Sequence, residues 1–212
     1  MERKLDLYVE EMKLHMEESE FFLESEKIIR PIMLEIDQIN QKLSEECGRP
    51  VVEYMKWRIK TPESIVKKLY RKQRKPTFES AVKNINDMIG IRIICSFQDD
   101  VYKMTKEIRK IPEMKIKKVK DYIAHPKSSG YRSIHIIIEL PYNEDQTIGL
   151  EIQVRSAAMN YWATLDHQLS YKHKLGDPKE TEKIRKELKS YAMDIAEIDK
   201  KFLKLRKKID KL

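Results

Sequence analysis

Cysteine is scarce in this chain: Cys47 and Cys95 are the two it has in 212 residues. No CxxC pair or Cys/His cluster offers zinc a ligand set, and no disulfide framework is visible. Cys95 sits in an apolar run and reads as a core residue. Long hydrophobic runs are missing as well. No stretch reaches the roughly 18 apolar residues that a membrane span needs. The N-terminus, MERKLDLYVEEMKLHMEESE, is too charged for a signal peptide. There is no internal repeat and no low-complexity segment. These absences point to a cytoplasmic protein without a membrane partner.

Charge is what the chain has in quantity. Charged residues make up 37% and hydrophobic ones 41%, a balance that predicts a soluble protein with a helix-rich surface. Lys and Arg number 43 against 35 Asp and Glu, an excess of 8. That excess favours an anionic partner such as a nucleotide, a nucleic acid or an acidic surface, without choosing among them. The length suits one good core, or one domain with helical additions.

Apolar spacing predicts a helix over 3–26. A second helix starts at Pro31, carries Ile32, Ile36, Ile39 and Leu43, and ends at Gly48 and Pro50. This region reads as a packing or oligomer-forming element. Residues 51–72 read as a helix pair, VVEYMKWRIK and then TPESIVKKLYRK. Thr61 can cap the second of these and Pro62 fits its first position. Arg58, Lys60, Ser64, Lys68 and Arg71 gather around that helix start. Free N–H groups, a serine and converging cations make a natural phosphate site, and a solvated basic face is the plainer alternative. Residues 79–88 read as helical. Ile89–Phe97 is a buried strand rich in β-branched residues, with Asp87 before it and Arg92 inside it. A charge in a buried strand is expensive unless it is paired or points into a cleft. Asp87 is therefore either a turn residue or a carboxylate at the mouth of a site. A helix over 99–111 and a half-wet strand over 114–123 follow.

The densest stretch is Ala124–His135, AHPKSSGYRSIH, a polar loop that feeds a strand over 132–140. Lys127, Tyr131, Arg132 and His135 bring cations, an aromatic and an imidazole to one strand entrance. Either something binds there or it is an ordinary basic turn. After a turn over 141–149, Leu150–Arg155 is the partner strand. Leu150, Ile152 and Val154 share one face, and Glu151, Gln153 and Arg155 share the other. The polar face is either a wet sheet surface or a metal ligand flanked by substrate contacts. Residues 156–174 form an amphipathic helix with Asn160 near its start, and Gly176 and Pro178 break it. His167 reads as a hydrogen-bonded structural histidine. The tail over 179–212 is a last helix. Its Ile195, Ile198, Phe202, Leu205, Ile209 and Leu212 form a seam for another helix, within the subunit or between subunits.

Five blocks now stand in a row: RIKTPESIVKKLYR at 58–71, DMIGIR at 87–92, DYIAHPKSSGYRSIH at 121–135, EIQVR at 151–155 and MNYWATLDH at 159–167. Together they resemble the RelA/SpoT synthetase family, in family order and at family spacing. The short flanks resemble the single-domain small alarmone synthetases, and the chain has no room for the hydrolase domain of the long members. The resemblance implies an α/β fold, a mixed and roughly five-stranded sheet flanked by helices, like that of nucleotidyltransferases. Residues 1–49 would form an N-terminal helical extension, 50–176 the synthetase domain, and 177–212 a C-terminal helix that makes an oligomer contact. Small alarmone synthetases are commonly homotetramers.

The implied activity is that of a GTP pyrophosphokinase. Pyrophosphate passes from ATP to the 3′-hydroxyl of GDP or GTP, with magnesium, giving AMP and ppGpp or pppGpp. Carried over by position, Arg58 and Arg92 would sandwich adenine, while Lys60, Ser64, Lys68 and Arg71 would hold the ATP phosphates. Asp87 and Glu151 would bind magnesium, and Glu151 would also act as base. Tyr131 would stack on guanine and Asn160 would bond its edge. Lys120, Lys127, His135, Gln153 and Arg155 would surround the acceptor's phosphates and ribose. The chain departs from the family pattern at Ile89, usually Ala, at Ser156, commonly Thr, and at Asp166, commonly Glu. Ile89 would add volume beside Asp87. Two other readings stay open here. One is pyrophosphorylation of another acceptor, an adenine nucleotide or the 3′ end of tRNA. The other is a basic RNA-binding module without catalysis. The charge permits RNA, but carboxylates in a basic groove repel phosphate unless a metal sits between.

Overall fold

The computed structural model describes residues 2–112, 114–143, 146–172 and 178–212. In chain order the elements are α1 (Glu2–Glu18), α2 (Phe21–Cys47), β1 (Val52–Ile59), α3 (Pro62–Arg71), α4 (Phe78–Asn84), β2 (Ile89–Cys95), α5 (Gln98–Ile108), β3 (Lys115–Asp121), β4 (Ile134–Pro141), β5 (Thr147–Ser156), α6 (Ala157–Lys172) and α7 (Pro178–Ile209). The five strands make one mixed sheet in the order β1-β2-β5-β4-β3. Only β2 and β5 run parallel; the other neighbours are antiparallel. This is the α/β architecture with helical additions that the family resemblance implies.

Alternation along the central strands gives the sheet two unlike faces. Ile89, Ile91 and Ile93 of β2, Leu150, Ile152 and Val154 of β5, and Ile134, Ile136 and Ile138 of β4 all turn into the core. Val101, Met104 and Ile108 of α5 share that core. So do Met12 and Met16 of α1, and Phe21, Ile29 and Ile36 of α2. The opposite face keeps its polar side chains.

The N-terminal helices divide elsewhere than the spacing suggests. Glu20 takes a left-handed conformation, φ 50°, between α1 and α2. Pro31 lies inside α2 rather than at its start. Its face is exposed, so the backbone bond it cannot donate faces water, while the buried ladder Phe21, Ser25, Ile29, Ile32, Ile36 continues in phase. The stretch read as a helix over 51–60 is instead the edge strand β1, zipped to β2 from Val52 opposite Cys95 to Ile59 opposite Ile89. α4 and α5 are shorter than expected, and β5 begins at Thr147, so the 141–149 turn is tighter. The break expected at Gly176 lies outside the described residues. Thr61 and Pro62 cap α3 as expected, with Thr61 accepting from the Ser64 N–H.

One buried ion pair ties α5 to the residue that follows α2. Both guanidinium nitrogens of Arg49 reach the Asp100 carboxylate at 2.9 Å. Asp100 is fully buried, and Lys103 stands 3.7 Å away. At the other end of the molecule the Trp162 indole N–H of α6 bonds the Leu188 carbonyl of α7 at 3.0 Å. Gly130, φ +91°, sits so close to α7 that a Cβ there would lie 2.5 Å from that of Ala192. The loop before β4 is therefore seated on the C-terminal helix.

Removing one partner of a buried pair leaves the other uncompensated, at a cost of several kcal/mol. Arg49→Ala should destabilise the fold by about 3 kcal/mol, measured by urea unfolding at neutral pH. A loss below about 1 kcal/mol would show that Lys103 alone satisfies Asp100.

Candidate active site

The polar face of the sheet is set by register. Arg58 of β1 pairs with Gly90 of β2, which pairs with Glu151 of β5. One row along, Arg92, Gln153, His135 and Lys120 lie side by side across β2, β5, β4 and β3. Arg155 continues the face toward α6. Asp87 comes from the turn just before β2, and Lys68 reaches in from α3.

Asp87 is held between two cations. Lys60 Nζ lies 3.0 Å from one carboxylate oxygen and Lys68 Nζ lies 2.7 Å from the other. Burial pushes the Asp87 carboxyl up, but the Lys68 hydrogen bond and the Lys60 charge outweigh it and leave the group below its ordinary value. Glu151 is held ionised by other partners. His135 Nδ1 lies 3.0 Å from one oxygen, and the Gln153 amide donates to the other at 2.7 Å. Burial again acts upward, yet the His135 bond and charge prevail and bring the carboxyl down to about 2.

The network runs on from there. The Tyr131 hydroxyl meets His135 Nε2 at 2.7 Å. Arg155 donates to that hydroxyl at 2.7 Å and to the Gln153 carbonyl at 2.8 Å. It also reaches Asn160 Oδ1 at 3.5 Å. Lys127 and Arg155 both lie over the Tyr131 ring, at 4.7 and 5.1 Å.

Two adjoining cavities open on this face. One of 310 Å³ is lined by Tyr54, Arg58, Asp87, Arg92, Glu151 and Gln153 among others. The other, of 610 Å³, is lined by Tyr131, Arg155 and His167 together with the same Arg58 and Arg92. The two guanidiniums thus stand at the boundary. Burial, then the charges of Arg155 and Arg58, push the Arg92 group down. Its Nε is buried without a partner. An acceptor in the plane of the group would satisfy that N–H, while its flat face at the boundary of the two cavities suits a planar ring.

Most of the expected residues converge, and a few do not. The Ser64 hydroxyl is engaged by Thr61 at 3.0 Å and is exposed. Arg71 is exposed in the last turn of α3. Arg132 bonds the Ile123 carbonyl at 2.9 Å and ties the loop rather than lining either of these two cavities. Ile89 turns into the core, so its volume does not fall beside Asp87. The sequence reading missed three aromatics. Tyr54 and Trp57 line the smaller cavity. Tyr122 stands edge-on to His135 at 5.1 Å and carries Lys127 at 4.8 Å. Reading β1 as a strand would have put Tyr54 on the face of Arg58.

Stacking guanidiniums, phosphate-range cations and ionised carboxylates in one cleft define a site for a charged, ring-bearing anion, and a nucleotide has that make-up. The chain belongs to the RelA/SpoT family: the region found in RelA / SpoT proteins matches residues 57–176. It is 39% identical over 175 residues to GTP pyrophosphokinase YwaC of Bacillus subtilis, covering 81% of this chain and 82% of that protein. The crystal structure of small alarmone synthetase 2 of B. subtilis superposes with a TM-score of 0.71 at 37% identity, over 85% of this chain and 93% of that one. Small alarmone synthetase 1 from the same organism, bound to its product pppGpp, gives 0.78 at 26% identity over 92% and 98%.

The folded Glu151 value lies below its ordinary 4.5. Its contribution to stability is therefore complete above about pH 4.5 and is lost as pH falls toward 2. Glu151→Gln should flatten that limb of the stability curve, measured by urea unfolding across the window. An unchanged limb would mean that His135 and Gln153 do not hold the carboxylate in solution.

Proposed function

We infer that the chain is a GTP pyrophosphokinase. It transfers the terminal pyrophosphate of ATP to the ribose 3′-hydroxyl of GDP or GTP, releasing AMP and the alarmone ppGpp or pppGpp. The observation that carries this reading is the pair of ionised carboxylates, Asp87 and Glu151, lining one cavity with Arg58 and Arg92. A binding groove for RNA has no use for two buried anions facing phosphate.

The roles are those the family resemblance implies, and the chemistry and placement of the residues support them. Arg58 and Arg92 stack on the adenine, which answers the unpartnered guanidinium in β2. Lys60 and Lys68, now on Asp87, exchange onto the ATP phosphates. Ser64 and Arg71, which the resemblance also assigns to the phosphates, stand exposed at the two ends of α3. On the acceptor side Tyr131 stacks on guanine and Asn160 reads its edge. Lys120, Lys127, His135, Gln153 and Arg155 hold its phosphates and ribose. Attack on the β-phosphorus needs charge neutralisation and in-line placement more than covalent help, and residues fixed on strands supply placement.

Magnesium is the cofactor of this reading. Among the described residues no group of three or more His, Cys, Asp or Glu side chains could hold a metal. Two carboxylates fit magnesium, which usually takes one or two from the protein and completes its shell with water and substrate phosphates. The bound ion would neutralise phosphate charge. Glu151 then serves as base for the hydroxyl. A carboxylate held at about 2 is a weak base. Acceptor phosphates that draw His135 away raise its basicity at the moment it is needed.

We place the enzyme in the cytoplasm as a homotetramer. No described helix is long and apolar enough to cross a membrane. Ile198, Phe202, Leu205 and Ile209 of α7 are 49 to 60% exposed, a row of large apolar side chains that a second copy would cover.

The test is to mix the purified chain with labelled ATP, magnesium and GDP or GTP and to resolve the nucleotides. AMP with guanosine tetra- or pentaphosphate supports the reading. Product only with ADP or tRNA moves the protein to another acceptor class, and silence with every acceptor sinks the enzyme reading. Glu151→Gln should retain nucleotide binding and lose about 10²- to 10⁴-fold in turnover.

A further inference from the structure

An asparagine side chain reads a base only if something decides which way its amide faces. Nδ2 donates and Oδ1 accepts, and a half-turn exchanges them. Asn160 is fixed from both sides. Its Nδ2 donates to the Tyr54 hydroxyl at 2.8 Å. Its Oδ1 faces Arg155 at 3.5 Å. Arg155 in turn lies 5.1 Å over the Tyr131 ring. The amide oxygen thus faces Arg155, which covers the Tyr131 ring, and the nitrogen faces an edge strand 106 residues distant in sequence.

We propose that Tyr54 is a specificity-determining positioning residue, which sets the choice of acceptor base by holding the Asn160 amide with its oxygen toward Arg155 and the Tyr131 ring it covers. The inference rests on the pyrophosphokinase reading for the identity of the acceptor. Guanine presents two N–H donors on its Watson–Crick edge, from N1 and N2. At the same end of the edge adenine presents a lone pair at N1 and a C–H at C2, its N6 amino donor lying at the other end, where guanine has the O6 acceptor. An oxygen fixed toward the base pairs with the first and repels the second, whereas an amide free to turn accommodates either. Stacking on Tyr131 cannot make this distinction, because every base has a π-face.

Packing does not account for the tyrosine. Tyr54 is 40% exposed on the outermost strand, so its hydroxyl is not needed to satisfy a core. Its ring carries Lys56 at 5.7 Å, a surface contact. Tyr54 also lines the smaller cavity with Arg58 and Arg92. The test must therefore separate action through Asn160 from direct action on ATP.

The donor site is filled with a non-reactive ATP analogue, and GDP and ADP are titrated into wild type, Tyr54→Phe, Asn160→Ala and the double variant. The same four proteins are then assayed with ATP as donor and GDP or ADP as acceptor. Tyr54→Phe should lower the GDP-to-ADP ratio in affinity and in kcat/KM by about three- to tenfold, the worth of one neutral hydrogen bond, through KM rather than kcat. In the Asn160→Ala background the same substitution should change the ratio by less than about twofold. An unchanged ratio in Tyr54→Phe, an equal fall in the Asn160→Ala background, or a wild type that binds the two acceptors alike overturns the proposal. A wild type that binds GDP selectively but forms no product sinks the pyrophosphokinase reading, while the binding ratios still decide the role of Tyr54.

Discussion

Two carboxylates kept ionised on a cationic sheet face are the constraint on which the rest of this structure turns. Burial alone pushes both toward the neutral form. Asp87 stays charged because Lys60 and Lys68 close on it from opposite oxygens. Glu151 stays charged because His135 and Gln153 do the same. Each of these partners comes from a different element, so the ionised state is a property of the assembled fold. Lys68 needs α3 to be capped at Thr61 and packed through Ile65, Val66 and Leu69. His135 needs β4 to lie beside β5 in the register that sets it opposite Gln153.

The parallel pairing of β2 with β5 does the joining. Asp87 and Glu151 are far apart in sequence, yet Gly90 and Glu151 are neighbours on the sheet. A parallel neighbour needs a long crossover. Here α5, β3, the basic loop and β4 occupy it. The loop that delivers Lys127 and Tyr131 is thus part of the connection that brings the two carboxylates together. It is also pressed onto α7 at Gly130, so the C-terminal helix supports the acceptor side without contributing chemistry to it.

Much of this was legible in the residues. The three central strands were readable from their β-branched runs, and the polar face of β5 from simple alternation. Arg92 was visible as a charge where none should be, and Asp87 as an acid beside it. What those residues do came from the resemblance of five blocks, not from spacing. β1 was misread for a physical reason. As an edge strand it is half wet on both faces, and a register shift between Val52 and Tyr54 breaks its alternation. Its Glu, Met and Lys residues suit a helix as well as a strand, and pairing with β2 settles the matter. Pro31 misled because its missing donor matters little on an exposed face. Tyr54 was hidden by the helix reading of β1, since strand alternation puts it on the face of Arg58, and Tyr122 could not be found, since its partners lie on the loop and on β4 and no local pattern marks it.

The charged groups of the site satisfy one another, and that shapes what binding can achieve. Lys60 and Lys68 are spent on Asp87, Arg155 on Tyr131 and Gln153, and His135 on Glu151. A nucleotide gains from these groups only the difference between its own contacts and the ones it replaces. A phosphate without a metal would strip Asp87 of its two cations and leave a buried anion facing another. A metal alone would find Asp87 already neutralised. On the roles proposed, the lysines would pass to donor phosphate and the Asp87 carboxylate would be left to hold the metal, so that both ion pairs are replaced together. Arg92 differs from these groups in that, among the described residues, its guanidinium holds no side-chain hydrogen bond or ion pair that a ligand would displace, and its Nε is buried without a partner. If Arg92 stacks on adenine as proposed, that contact adds affinity with less offset, while phosphate contacts made by the lysines mainly enforce the correct charge and geometry.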